Sequence, residues 1–134
     1  MEYNEFVKQN DVDYTKNLVN EQELVELEKI IELTFGSQLK NYILSYGYLG
    51  FEEIEFYGIN SKQKEKSDLI TQTLYLHTYF QKTRQYIAFE NIGEGRYVLV
   101  DEYDNMYSYS SEQDSIQSLG VDLGEYILGR LKNK

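Results

Sequence analysis

YIAFENIGEGRYVLVDEYDNMYSYS, residues 86–110, is the stretch that decides how this chain folds. Residues 86–92 read as a strand whose side chains alternate between two faces, and a Gly93-Glu94-Gly95 loop interrupts it. Alternation resumes at 96–101, with Val98 and Val100 on one face and Tyr97 and Leu99 on the other, which is the period of a β-strand. Glu102-Tyr103-Asp104-Asn105 reads as a turn, and Asn105 is the residue expected to take its left-handed position. Residues 106–110 then pair back antiparallel. Tyr97, Tyr103, Tyr107 and Tyr109 suit a half-buried pleated surface, so at least two of these four are expected to serve the sheet or core.

Helical grammar surrounds this sheet signal. Asn20 and Glu23 have the capping-box spacing, with Val19 and Leu24 placed as a hydrophobic staple. Leu24, Leu27, Ile30 and Ile31 fall on one face of the predicted helix, which Gly36 is expected to end. Ser37 is the expected cap of a second helix carrying Leu39, Tyr42, Ile43 and Tyr46, closed by Gly47. Residues 50–58 read as one strand. The run NSKQKEKS at 60–67 reads as a solvated basic loop, and residues 68–80 as a helix capped by Ser67, with Leu69, Ile70, Leu74 and His77 on or near one face, although LYLHTYF at 74–80 alone would also pass as a strand. Asp122 and Glu125 repeat the capping box before Tyr126, Ile127 and Leu131. Residues 1–19 have no clear period and read as an arm or short helix docked on the body. No repeat or linker divides the chain, so residues 1–134 are expected to form a single α+β domain.

Composition narrows the function. The 134 residues carry a net charge of −10, contain no cysteine and no proline, and are 41% hydrophobic and 15% aromatic. This supports a packed core and excludes disulfides and thiol chemistry. An acidic chain is a poor match for nucleic acid, whose phosphates need Lys and Arg, and a good match for a basic protein. No apolar run is long enough to span a bilayer and no signal-peptide layout opens the chain, so a cytoplasmic location is expected. From Tyr86 to Ile127, nine acidic residues stand against Arg96 alone, a net of −8. The charge is therefore concentrated in the last third.

Catalytic and cofactor signals are weak. The chain lacks the Gly-x-Ser-x-Gly and Walker motifs, and His77 is its only histidine. Asp101, Glu102 and Asp104 could in principle hold a hard cation, but Tyr103 interrupts the calcium-loop spacing and no glycine follows Asn105. Glu94 puts a negative charge in the Gly-x-Gly loop and a strand follows it, both unsuited to phosphate. No cofactor or metal is expected. An enzyme built on these carboxylates would need a deep pocket with at least two of them in contact.

Three stretches resemble the SUKH superfamily: ELVELEKIIELTFGSQLKNYILSYGYLGF at 23–51, IGEGRYVLVDEYDNMYSYS at 92–110 and DLGEYILGRL at 122–131. They are similar to its opening amphipathic helix and Leu-(Pro)-x-x-Tyr helix, its glycine loop with strand, turn and returning strand, and its closing helix. Lys40 replaces the family's proline, Tyr48-Leu49-Gly50 an Asn-Gly turn, and Asn105 a turn glycine, which leaves the subfamily open. The resemblance implies a largely antiparallel sheet with helices packed on one side. It also implies the role of many bacterial members, which neutralise a cognate toxin, often a nuclease, by binding it without catalysis. The expected contact set is Glu94, Tyr97, Asp101, Glu102, Tyr103, Asp104, Tyr107 and Tyr109, meeting a basic partner. The alternative is a regulatory or scaffolding module that binds an endogenous cytosolic protein.

Overall fold

Local capping chemistry sets the helices of the computed structural model, which describes residues 2–16, 19–59 and 67–133. Among the described residues there are five α-helices: α1 (Glu2–Gln9), α2 (Glu21–Ile31), α3 (Ser37–Ser45), α4 (Leu69–Tyr79) and α5 (Leu123–Lys132). Both halves of the α2 capping box form, the Glu23 N–H donating to Asn20 Oδ1 at 2.8 Å and the Asn20 N–H to Glu23 Oε1 at 3.2 Å. The helix stops before Gly36, because Glu32 takes the left-handed C-terminal position at φ 60°. Leu24 and Ile31 are buried, but Ile30, expected beside them, is 54% exposed. Asp68, one residue past the expected Ser67, caps α4 by accepting the Thr71 N–H at 2.8 Å. Leu69, Ile70, Thr73 and Leu76 form its buried face, and Leu74 lies outside it. Apart from Ser67, the basic loop read at 60–67 lies outside the described residues.

Among the described residues, seven strands follow one another across a single antiparallel sheet in chain order. They are β1 (Asp13–Lys16), β2 (Tyr46–Phe51), β3 (Ile54–Phe56), β4 (Ile87–Gly93), β5 (Arg96–Val100), β6 (Asn105–Ser110) and β7 (Ser115–Asp122). The single strand expected at 50–58 is instead the hairpin β2–β3, which reverses where Glu52 adopts φ 56°. Tyr46, expected on the second helix, opens β2. The N-terminal arm is a helix and an edge strand, anchored by buried Tyr3, Val7 and Val12. Together these elements make an α+β fold.

A bulge in β4 organises the core. Ala88 pairs with Leu99 and Glu90 with Val98, so Phe89 is the extra residue. This geometry turns Phe89 and Glu90 toward the same side. Phe89 stacks on Phe56 with centroids 5.0 Å apart and meets Tyr42 edge-on at 5.2 Å. Glu90, 1% exposed, lies beneath α5 and accepts the Tyr126 hydroxyl together with Arg130 Nη2 at 2.8 Å and Nε at 3.1 Å. A carboxylate that deep costs several kcal/mol to desolvate, and these charge-assisted bonds offset it. Helices α1, α3 and α5 thus supply most of the cover on this side. On the opposite face Tyr97 pairs across with Tyr109, and Phe80, at the end of α4, packs against Tyr109 at 5.6 Å.

Candidate functional site

The β5–β6 turn carries three carboxylates, Asp101, Glu102 and Asp104, and each of them is engaged internally. Asp101 Oδ1 accepts the N–H groups of Tyr103 at 2.8 Å and Asn105 at 2.9 Å, and Oδ2 accepts the Tyr107 hydroxyl at 3.0 Å. Glu102 Oε2 accepts both the backbone N–H and the hydroxyl of Thr34, at 2.8 and 2.5 Å. Asp104 reaches the start of α3, where Gln38 N–H donates to Oδ2 at 2.9 Å and Leu39 N–H to Oδ1 at 3.0 Å.

Asp104 is therefore the N-terminal cap of α3, supplied from another part of the chain. Ser37, the expected cap, lies inside the helix, and the capping position is Gly36, which has no side chain to offer. Glycine is required there because an added Cβ would stand 2.5 Å from the Asp104 carboxylate. Asp104 itself, not Asn105, takes the left-handed conformation, at φ 68°, while Asn105 enters β6 opposite Asp122. The Asp104 carbonyl also accepts the Leu123 N–H at 2.9 Å, at the first turn of α5. Gln38 completes the junction by donating to Asp122 Oδ2 at 3.1 Å and accepting the Gly124 N–H at 2.8 Å. The positive N-terminal ends of two helices thus converge on Asp104 and Asp122.

The expected contact residues do not form one patch. Glu94 sits at the far end of β5, in a two-residue turn where Glu94 (φ 56°) and Gly95 (φ 73°) are both left-handed. At ~3.3 Å per strand residue, roughly 20 Å separate it from the Asp101 turn. Asp104 is 5% exposed and Tyr109 1%, so these two lie inside rather than on a contact surface. Tyr97 and Tyr107 are half-buried. Burial, followed by hydrogen bonds to Asp101 and Asp114 respectively, pushes the Tyr107 and Tyr109 phenols up from their ordinary values. Tyr103 is 83% exposed, with Asp101 and Glu102 half-exposed beside it.

Thr34, Gly36 and Gln38 escape a reading of the sequence because their roles depend on groups brought from the distant turn. Beside that turn, α2 and α4 leave an open groove of about 680 Å³, lined in part by Ile30, Leu33, Leu74, His77, Arg84 and Glu102. The misplaced Ile30 and Leu74 are the only hint of it in the sequence. His77 is structural there, its Nε2–H donating to the Tyr86 carbonyl at 2.7 Å. Among the described residues no three His, Asp or Glu side chains group as a metal ligand set, and no helix is long and apolar enough to cross a membrane.

The SUKH_5 family model, described as SMI1-KNR4 cell-wall, matches residues 2–132, from α1 through α5. The chain belongs to the SUKH family. No curated protein matches it.

Proposed function

We propose that this SUKH protein is an immunity protein, which neutralises a cognate bacterial toxin by binding it without catalysis. The observation that carries this reading is Tyr103, 83% exposed at the tip of a turn whose carboxylates all hold the turn in place. An exposed tyrosine on a backbone already held in place loses little entropy on binding and offers both area and a hydroxyl, so it suits a protein contact. Asp101 and Glu102 beside it favour a basic partner, as does the net charge of −10. Glu94 and the half-buried Tyr97 and Tyr107 would contribute only at the periphery of such a contact.

Co-purification with the toxin encoded beside this chain's gene tests the proposal. Tyr103→Ala is expected to weaken the complex at least tenfold while leaving the unfolding midpoint nearly unchanged. An unaffected complex would remove Tyr103 from the interface, and no complex at all would remove the immunity role. The family description, with its mention of the cell wall, favours one second reading, a regulatory module binding an endogenous partner. Capture of a chain encoded in a housekeeping operon, with no toxin neighbour, would support that one.

A further inference from the structure

The two edges of the sheet are treated differently. At one edge, β1 is four residues long and its pairing slips between Thr15 and Lys16, which blunts it. At the other, β7 runs for eight residues and, among the described residues, pairs on one side only, with β6. Between Ser115 and Leu119 it contains no proline, no lysine and no other charged residue that would protect an edge. Past Ser118 the register slips, and Leu119, left-handed Gly120 (φ 73°) and Val121 bulge out of the ladder before Asp122 pairs again. The regular backbone edge left open among the described residues is Ser115–Ser118.

A second feature lies alongside. A cavity of about 340 Å³ opens next to this edge, lined in part by Glu94, Arg96, Ser110, Glu112, Ser115 and Gln117. Ser115 pairs with Ser110, and Gln117 with Ser108, so these alternate positions present polar side chains on one face of the sheet. Asp114 is occupied by Lys82, at 3.8 Å, and by the Tyr109 hydroxyl, at 2.6 Å. Glu94 and Glu112 have neither an ion pair nor a side-chain hydrogen bond to any described residue.

We propose that an extended, basic segment of a partner protein adds to β7 as an eighth strand. Main-chain hydrogen bonds along Ser115–Ser118 would hold its backbone, and every second side chain, a lysine or arginine, would enter the cavity toward Glu94 and Glu112. A second copy of this chain is the weaker occupant, because it would bring its own net charge of −10 to an edge flanked by Glu94 and Glu112. The proposal rests on the protein-binding reading above and gives it a second contact, at the opposite end of β5 from Tyr103.

The test uses the whole chain and two labelled octapeptides, one alternating lysine and valine, the other glutamate and valine. Fluorescence anisotropy is expected to show binding of the lysine peptide only, weakened at least tenfold by Glu94→Gln with Glu112→Gln. Proline provides the backbone arm. Successive strand residues point their N–H groups to opposite sides, so one of Ile116→Pro and Gln117→Pro breaks the β6 ladder and the other blocks only the open edge. The variant that keeps the parent unfolding midpoint is expected to lose the lysine peptide. Full binding by that folded variant, equal binding of both peptides, or no binding by the parent chain would each overturn the proposal. If the lysine peptide binds as expected but no toxin does, the immunity reading fails and the strand site stands. If the toxin binds that folded proline variant as well as the parent, the strand site fails and the immunity reading stands.

Discussion

Asp104 illustrates how one side chain can belong to a different element from the one that carries it. Its carboxylate accepts two backbone N–H groups at the start of α3 and is almost fully buried, so removing it leaves both donors unpaired. Hydrogen bonds to a charged acceptor contribute about 1.5–3 kcal/mol, and a lost helix cap typically costs about 1. Asp104→Ala is therefore expected to lower stability by about 2–3 kcal/mol in urea unfolding, whereas Tyr103→Ala stays within about 0.5 kcal/mol. Charge reversal at Asp104 would disrupt the junction before it reported on any interface. Tyr42 presents the converse case, for its hydroxyl is buried and has no hydrogen-bond partner among the described residues. An unpaired buried hydroxyl costs about 1–3 kcal/mol, so Tyr42→Phe should raise the urea midpoint, by about 1 kcal/mol of stability. A lowered midpoint would show that something unseen satisfies that oxygen.

At the scale of elements, α5 depends on Asp122, which accepts the Glu125 N–H at 2.9 Å and an amide proton of Gln38 at 3.1 Å. The Glu125 backbone bond, opposed in part by burial and aided by Gln38, holds the Asp122 carboxyl below its ordinary value. A carboxylate whose folded pKa is depressed adds stability that is present above its unfolded pKa of about 4 and is lost as pH falls through the folded value. Asp122→Asn should thus cost about 0.5–1 kcal/mol at pH 7, and the gap between parent and variant should narrow as pH falls below the unfolded value of about 4. A gap that persisted at the acidic end would mean that charge plays no part in the cap. The elements also show which signals a linear reading can hold. Both capping boxes were legible because their partners are three residues apart. The β4–β5–β6 meander was legible from its alternation and turn residues. The cap of α3 was not, because Gln38 and Asp104 are 66 residues apart in sequence and meet only through the fold. β7 was missed because its side chains are largely exposed and carry no period, even though its backbone completes the sheet. The acidic run looked continuous for a related reason: a strand carries residues adjacent in sequence to opposite ends of the molecule.

The whole molecule is built on tyrosine, with 14 in 134 residues and no tryptophan. Tyr3 and Tyr42 are 2% and 0% exposed and pack with Tyr46 in one aromatic cluster beneath α1 and α3. Burial pushes both phenols well above the ordinary tyrosine value, and neighbouring phenols raise them further. Burial together with the Glu90 carboxylate does the same for Tyr126, despite the opposing pull of Arg130. The sign follows directly. In the unfolded chain these groups ionise near pH 10, while in the folded protein they keep their protons to higher pH. Their contribution is complete below about pH 10 and is lost as pH rises beyond it, at about 1.4 kcal/mol per pH unit for each of Tyr3 and Tyr42. The protein should therefore unfold cooperatively on the alkaline side, its urea midpoint falling from about pH 10 onward. The phenolate absorbance of the buried rings should appear in the same step as the loss of near-ultraviolet circular dichroism, because those rings ionise only when the core opens. Phenolate absorbance that rose smoothly to its full value while the near-ultraviolet spectrum stayed native would place these hydroxyls in contact with solvent and refute the arrangement of the core.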